Sequence, residues 1–457
     1  MKQRLNRIIR VSAAILAFAM PASADTLVDA MRLAYETNPT LILNRAALRG
    51  TDETVALARA GRRPQLVMQG AANYTNSPAF EGAQTESYSL SLNATLTLFD
   101  GGRSQMAVDA AKTAVLAARQ SLKNIEQSVM LSAATAFLTV RRDRQIVELA
   151  VNNVEVLKQQ VQAAEDRFAV GAVTRTEVSQ TKARLAAAQA VLAANRGALA
   201  ISSENYLAVV GVAPVNLAYP PRLPDLPGSQ AAVEEIALRT HPLMRAAHLS
   251  EKVALIDLRR AESARLPSIS ANASVGYRGD GILAPRDSSS IGVTLSQPIY
   301  TGGALSATVR QAGAELERRM ADTSNTRAQV RQQVASAWFQ LRIARASIAA
   351  TRLQIEAAQF AFDGITEEAN LGARTLLDTL NAKQEVLTAQ NSLITAMHDE
   401  RIAAYSLLAA MGLLTPENLN LGIDLYDPEE NFNRVQNAPI NTFEAGKVLD
   451  NISDRWR

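Results

Sequence analysis

Cysteine is absent from the 457 residues of this chain. Disulfide bonds, thiolate metal sites and cysteine nucleophiles are therefore excluded. Histidine is almost as scarce, since only His241, His248 and His398 occur. No two of them have the spacing of metal ligands, so the sequence predicts no metal site and no other cofactor. A nucleophile paired with a base and a phosphate-binding loop are also missing, and we predict that the chain is not an enzyme.

Without its N-terminal segment, the chain also has no excess of positive charge. Lys and Arg total 47 and Asp and Glu total 44, but four basic residues lie in the first ten positions: Lys2, Arg4, Arg7 and Arg10. An apolar stretch follows and ends in the cleavage motif Ala22-Ser23-Ala24. This pattern predicts a signal peptide over residues 1–24, with a short membrane anchor as the alternative. Subtracting those four leaves 43 basic residues against 44 acidic ones, which gives no basis for binding nucleic acid.

Proline and glycine are missing from long stretches. Residues 79–213 and 299–415 contain no proline, and residues 103–170 contain no glycine. Apolar residues repeat there at heptad spacing, as at Val147, Val154, Val161 and Phe168. The pattern predicts long helices packed as coiled coils over 103–170, 172–211, 304–371 and 373–411. The longest would extend for roughly 100 Å at 1.5 Å per residue, far more than a globular core needs.

Strict alternation of apolar and polar residues marks other segments. In the clearest case the apolar residues are Tyr88, Leu90, Leu92, Ala94, Leu96 and Leu98. Alternation is typical of a strand with one apolar and one polar face. We predict strands at about 65–74, 87–99, 268–277 and 288–300, long enough to cross a membrane when tilted. A half-buried sheet in a soluble α+β protein is the alternative.

The chain resembles itself at a fixed offset, which indicates a duplication. At a shift of 201, Leu98–Gly102 (LFDGG) falls on Ile299–Gly303 (IYTGG), and Gly171 falls on Gly372. Upstream the shift is 203. We predict two copies, 25–213 and 230–415, joined by a proline-rich linker at 214–229 and followed by an irregular tail at 416–457. Each copy should begin with a helix, 25–63 or 230–265, broken at Asn38-Pro39 or His241-Pro242.

Four strands from one chain leave two sheet edges without partners. In a membrane every backbone polar group needs a partner, so four strands cannot form a closed wall. Other subunits must close it, and three chains would supply twelve strands. The helices alone would fit an antiparallel coiled-coil hairpin of the kind found in periplasmic adaptor proteins. The strands favour the membrane protein.

Together these features resemble the TolC family of outer-membrane channel proteins. The resemblance is carried by the tandem repeat, the junctions LFDGG and QPIYTGG, and the segment Asn370–Leu393 with its partner Ala169–Leu192, and it covers essentially the whole mature chain. It implies a mainly α fold with membrane β: a tandem-repeat protomer of a trimeric 12-stranded β-barrel, continued by a long α-helical periplasmic barrel. The expected location is the outer membrane of a Gram-negative bacterium, in contact with outer-membrane lipid.

The family resemblance also implies the function. We expect an exit duct of a tripartite efflux or type I secretion system that passively passes substrates to the exterior. Its expected partners are a periplasmic adaptor (membrane fusion) protein and an inner-membrane ABC or proton-driven pump. The sequence leaves drug efflux and protein secretion both open. A periplasmic coiled-coil adaptor or scaffold is the alternative function, but we find no lipoyl-like module between the helix halves.

Matching the family motif residue by residue assigns candidates for the periplasmic aperture: Arg374, Asp378, Asn381, Thr176 and Glu177. Asp378 matches an acidic ring that lines the closed pore. Asn381 stands where the best-known members have an acid, and Ala369 stands where they have a tyrosine. Exposed residues near the tip, Arg167, Arg175 and Lys182, are candidates for contact with a partner.

The same positions also have a purely structural interpretation. Thr174-x-x-Glu177 and Thr375-x-x-Asp378 read as capping boxes at helix starts, and an acid in the first turn complements the helix dipole. The two roles are compatible. Gly171 and Gly372 are expected at the helix-turn tips. The strand-to-helix junctions should need unusual backbone angles, which glycine supplies at Gly101, Gly102, Gly302 and Gly303.

Overall fold

We describe the fold from a computed structural model, covering residues 26–77, 83–221, 223, 225–280 and 283–436. The predicted signal peptide and the last part of the predicted tail lie outside these residues. The elements of the first copy are α1 (Leu27–Thr37), α2 (Pro39–Ala60), β1 (Gln65–Ser77), β2 (Ala83–Phe99), α3 (Arg103–Ala169) and α4 (Arg175–Val210). Those of the second are α5 (Gln230–Thr240), α6 (Pro242–Ser263), β3 (Ser268–Asp280), β4 (Leu283–Ser296), α7 (Ala304–Asn370) and α8 (Leu376–Ala410). A final helix, α9, spans Pro428–Val435.

The element ends differ from the expected ones for identifiable reasons. β4 ends at Ser296 and not at residue 300, because Pro298 has no N–H for the sheet and Gln297 Nε2 donates to the Arg265 carbonyl at 2.9 Å. The strands extend further than predicted toward the loops that join β1 to β2 and β3 to β4. α4 and α8 begin later than predicted, because a non-helical turn precedes Thr174 and Thr375, their N-caps. The tail, predicted as irregular, contains α9.

The four strands form one antiparallel sheet in the order β1-β2-β3-β4. The register places Leu92 opposite both Met68 and Val275, so apolar side chains share one face. On the other face Asn272 Nδ2 donates to Thr294 Oγ1 at 3.1 Å, within a polar set continued by Ser274 and Ser290. Each end strand, β1 and β4, has one neighbour among the described residues, so the sheet of this chain is open.

The chain packs into two compact units, which we describe separately. The first comprises the described residues up to Ile42 together with Ile125–Thr240 and Arg331–Asp424. Its largest fully buried side chains include Met31, Met130, Phe137, Tyr206 and Leu407. The residue before each break, at Asn38-Pro39 and His241-Pro242, contacts the C-terminal end of a long helix of the same copy. Thr37 Oγ1 donates to the Val210 carbonyl of α4 at 3.3 Å, and Thr240 Oγ1 donates to the Met411 carbonyl after α8 at 2.6 Å. Each break therefore caps the helix that returns to it.

The second unit contains the sheet, most of α2, all of α6 and the N-terminal parts of α3 and α7. Val55, Val108 and Val115 form its buried cluster, and Phe432 of α9 packs against them. Asn431 Nδ2 donates to the fully buried Asp52 at 2.8 Å. α9 thus contacts both α2 and α3, which explains why this part of the tail folds.

Candidate functional site

The two helix-turn tips have the same geometry. Gly171 has a φ of +76° and Gly372 a φ of +81°. After each glycine, the next backbone N–H donates across the helix end at 2.8 Å, Ala172 to the Arg167 carbonyl and Ala373 to the Glu368 carbonyl. This is the Schellman arrangement, in which a left-handed residue ends a helix. The predicted tip glycines therefore lie where the chain reverses.

Both predicted capping boxes are formed. The Glu177 N–H donates to Thr174 Oγ1 at 3.3 Å, and the Asp378 N–H donates to Thr375 Oγ1 at 3.2 Å. In return, each carboxylate accepts the N–H of its own threonine. Thr176, also predicted for the aperture, is exposed and lies in the first turn of α4.

Asp378 is held as a carboxylate by its cap. Hydrogen bonds from the Thr375 hydroxyl and backbone lower the pKa of Asp378 below its ordinary 3.8, and the Arg374 charge lowers it further. Arg374 itself bonds Glu368, with Nε 2.8 Å from Oε2, and this partner raises the pKa of the guanidinium. The structure therefore brings Arg374, Thr375 and Asp378 together, and directs the arginine side chain to the end of α7.

Asn381 has a partner that the sequence did not indicate. Arg184 of α4 donates from Nη2 to Asn381 Oδ1 of α8 at 2.8 Å. The two residues are 197 positions apart, so the pairing depends on how the two hairpins align. Heptad spacing cannot reveal this, because it locates a helix face without setting the register between helices.

Of the predicted partner-binding residues, Arg167 and Arg175 are exposed. Lys182 is exposed as well, and it pairs with Glu165 of α3 at 2.6 Å. A groove of about 390 Å³ lies between α3, α4 and α8, and Arg184 and Lys383 line it. Most of its walls are apolar, and four amide side chains also line it: Asn153, Asn195, Gln384 and Asn391.

The junction glycines all have left-handed backbones, with φ of +69° and +83° at Gly101 and Gly102, and +60° and +88° at Gly302 and Gly303. Gly101 also lacks space for a side chain, because a Cβ there would lie 2.9 Å from Leu266. Asp100 supports the turn: its carboxylate accepts the N–H groups of Gly102 at 3.1 Å and Ser104 at 2.8 Å. This aspartate therefore supplies acceptors for N–H groups at the start of α3.

The linker between the copies is clamped by arginines that the sequence analysis did not single out. Arg141 and Arg144 of α3 donate to the carbonyls of Ala218 at 2.8 Å and Val215 at 3.0 Å. Arg401 of α8 donates to Pro221 at 3.1 Å. The Tyr219 ring lies within 4.3 Å of the Arg141 guanidinium and 5.0 Å of that of Arg401. The linker therefore joins a helix of each copy through cation–π contacts and hydrogen bonds.

Comparison with known proteins identifies the family. A family profile described as outer membrane efflux protein matches this chain over residues 30–212 and again over 234–413. The outer membrane efflux protein BepC of Brucella suis biovar 1 (strain 1330) is 37% identical over 423 residues, which cover 91% of each chain. The outer membrane protein TolC of Escherichia coli (strain K12) is 24% identical over 445 residues, 92% of this chain and 88% of TolC. These relatives favour the channel over the adaptor.

Solved structures agree at the level of fold. A crystal structure of CusC, described in terms of folding and transmembrane channel formation, has a TM-score of 0.75 at 17% identity and covers 86% of this chain and 95% of CusC. The relatives matched are channel proteins and not enzymes. The chain belongs to the outer membrane efflux protein family, as a TolC-like channel of the Gram-negative outer membrane with a periplasmic helical barrel, and it serves efflux or type I secretion.

Proposed function

We propose that three copies of this chain form one exit duct. The observation that carries the proposal is the open four-stranded sheet, apolar on one face and polar on the other, in a member of this channel family. Three such sheets joined edge to edge leave no backbone group unpaired in lipid. The apolar face would contact outer-membrane lipid and the Ser, Thr and Asn side chains would face water.

The duplication gives this trimer a sixfold pseudo-repeat. The two profile matches, over 30–212 and 234–413, support a division into the copies 25–213 and 230–415. Each copy supplies two strands and one long helical hairpin. The glycine junctions 101–102 and 302–303 then mark the passage from membrane strands to periplasmic helices.

The hairpin tips at Gly171 and Gly372 form the periplasmic end of the proposed duct. Asp378, repeated by the trimer axis, would place three carboxylates around the aperture, with Asn381, Arg374, Thr176 and Glu177 nearby. A ring of carboxylates favours cations and opposes anions. Within one chain the Thr375 hydrogen bonds and the Arg374 charge lower the pKa of Asp378, which favours the charged carboxylate that this role requires.

The proposed partners are a periplasmic adaptor and an inner-membrane pump, of the ABC or proton-driven type. Exposed Arg167, Arg175 and Lys182, close to the tip, are the residues we assign to this contact. Substrate choice would lie with the pump. Identifying the pump that co-purifies after cross-linking in cells would decide between drug efflux and type I secretion.

Planar-bilayer recording of the purified full-length mature protein tests the duct, together with membrane fractionation. We expect trimers in the outer-membrane fraction and discrete cation-preferring conductance steps. A protein that is absent from outer membranes and silent in bilayers would overturn the proposal and favour the scaffold alternative.

A further inference from the structure

Two arginines lie side by side on the polar face of the sheet. Arg278 of β3 is directly opposite Arg286 of β4, and on its other side it is opposite Ser89 of β2. Residues that are directly opposite in an antiparallel pair share a face, with Cβ atoms roughly 5 Å apart. Both arginines are exposed, and neither has an ion pair or a side-chain hydrogen bond among the described residues. No other described side chain on this face is charged.

The acids of β2 and β4 lie on the opposite face of the sheet. Glu86 of β2 is opposite Tyr74 of β1, and Asp287 of β4 is opposite Tyr277 of β3. Both tyrosines belong to the apolar face. The sheet therefore separates these two carboxylates from the arginine pair.

The other strands bring little compensating charge to the pair. In the proposed trimer, β1 of the next chain would lie beside β4, and β1 contains no charged residue over Gln65–Ser77. Asp280 is two positions beyond Arg278, after a shift in the β3–β4 register, and its side chain lies outside the described part of the chain. Like charges directly opposite one another destabilise a sheet. The arginine pair therefore favours a bound anion.

Aromatic side chains indicate the height of this pair in the membrane. On the apolar face, the Tyr88 and Tyr277 rings are stacked with their centroids 6.2 Å apart. Such aromatic residues surround transmembrane barrels where lipid meets water. Arg278 is ten residues beyond Ser268, where β3 begins after α6, or roughly 33 Å along the strand at 3.3 Å per residue. With the usual tilt this spans the apolar band of about 25 Å, which places the pair at the outer mouth of the proposed barrel.

We propose that Arg278 and Arg286 bind an oxyanion, a phosphate or carboxylate group, on the inner wall of the barrel at its outer mouth. The inference rests on the proposed duct, which turns the polar face toward the channel water and would supply three such sites. Guanidinium groups offer paired N–H donors that match two oxygens of such an anion, whereas chloride presents no such pair. Arginine rings are typical of pores that select anions and phosphate. The two ends of the duct would then favour opposite charges, cations at the periplasmic aperture and oxyanions at the mouth.

Channel recordings with inorganic phosphate test the site. When phosphate replaces chloride on one side of the bilayer at a time, the wild-type protein should be blocked from one side only. Arg278→Gln and Arg286→Gln should each weaken that block about tenfold, as expected for loss of a hydrogen bond between charged groups. Arg278→Lys should weaken it less, because it keeps the charge and loses only the planar fork.

The control for these recordings is Arg310→Gln, at an exposed arginine of α7, which should leave the block unchanged. Equal block in the wild type and in both glutamine variants of the pair would overturn the site, while a conducting wild type would still support the duct.

Thermal unfolding of the detergent-solubilised protein tests the site without any current. In chloride at low ionic strength, Arg286→Gln should unfold at a higher temperature than the wild type, because it removes the repulsion. Phosphate at equal ionic strength should raise the midpoint of the wild type and leave that of Arg286→Gln unchanged. A lower midpoint for Arg286→Gln in chloride would mean that a carboxylate of the chain already neutralises the pair, and would overturn the proposal. A protein that is silent in bilayers but is stabilised by phosphate only with both arginines would count against the duct and support the site.

Discussion

At the residue scale, Asp378 shows how one carboxylate can serve structure and function together. Its Oδ2 accepts the Thr375 N–H at 3.1 Å and the Thr375 hydroxyl at 2.8 Å, so its position is set by the start of α8. The same bonds keep it ionised. A charge proposed for the aperture is therefore held in place by a helix cap.

Two variants separate these roles. Asp378→Asn keeps an acceptor for the cap but removes the charge, so we expect lower cation selectivity in bilayers with only a small fall in melting temperature. Thr375→Ala keeps the charge and loses the cap, which should cost about 1 kcal/mol of unfolding free energy with selectivity retained. If Asp378→Asn leaves selectivity intact, the carboxylate is only a cap.

The pH dependence of the channel follows from the lowered pKa of Asp378. A carboxylate with a depressed folded-state pKa contributes stability above its ordinary pKa and loses it as the pH falls through the lowered value. The same carboxylate stays ionised down to its lowered pKa, so we expect cation selectivity to persist down to about pH 4 and to decline only below it. Reversal potentials measured in salt gradients between pH 7 and 3 check this, and a loss near pH 6 would contradict it.

At the element scale, the two strand-to-helix junctions have similar backbone conformations but differ in packing. Gly101 and Gly302 both have a positive φ, yet only Gly101 has Leu266 where a Cβ would lie. The two copies therefore allow the same glycine position to be compared with and without this contact. Alanine tolerates a left-handed φ at a cost of about 1–2 kcal/mol, whereas a close contact adds to this.

We predict that Gly101→Ala lowers the yield of assembled trimer much more than Gly302→Ala, which has open space around it. Heat-resistant trimer on a mild gel, with thermal unfolding, measures the difference. Equal losses would mean that backbone angle alone matters at the junctions. An undiminished yield in both would remove the assigned role of these glycines.

Helices α3, α4, α7 and α8 were predictable because the absence of proline, the absence of glycine in α3 and the heptad pattern are local signals. The end of β4 was not, since Pro298 lies inside an alternating stretch and the alternation continues past it. α9 was missed for a different reason. Its eight residues carry little periodic signal, and it is stabilised by tertiary contacts, including the Arg119–Glu429 ion pair at 2.9 Å.

At the scale of the whole molecule, the sheet explains why one chain is insufficient. Val293, on the apolar face, is 68% exposed, and Thr294 beside it bonds Asn272 on the polar face. Side chains on adjacent residues thus meet different solvents in the proposed barrel. Only lipid outside and water inside suit both faces.

This difference predicts opposite outcomes for neighbouring substitutions. Val293→Arg should block outer-membrane assembly, because an arginine on the lipid face costs about 2–4 kcal/mol near the midplane. Thr294→Arg should assemble and change only conductance. Membrane fractionation and trimer gels after expression compare them. Normal assembly of Val293→Arg would show that this face does not contact lipid.

The sequence alone determined the duplication, the long helices, the two-faced strands and the caps, because each depends on spacing within a few residues or on a fixed offset. The tertiary structure decided the rest. The Arg184–Asn381 bond, the arginine clamp on the linker and the docking of α9 each join residues far apart in the chain. Their positions depend on the register between packed helices, which local periodicity leaves free.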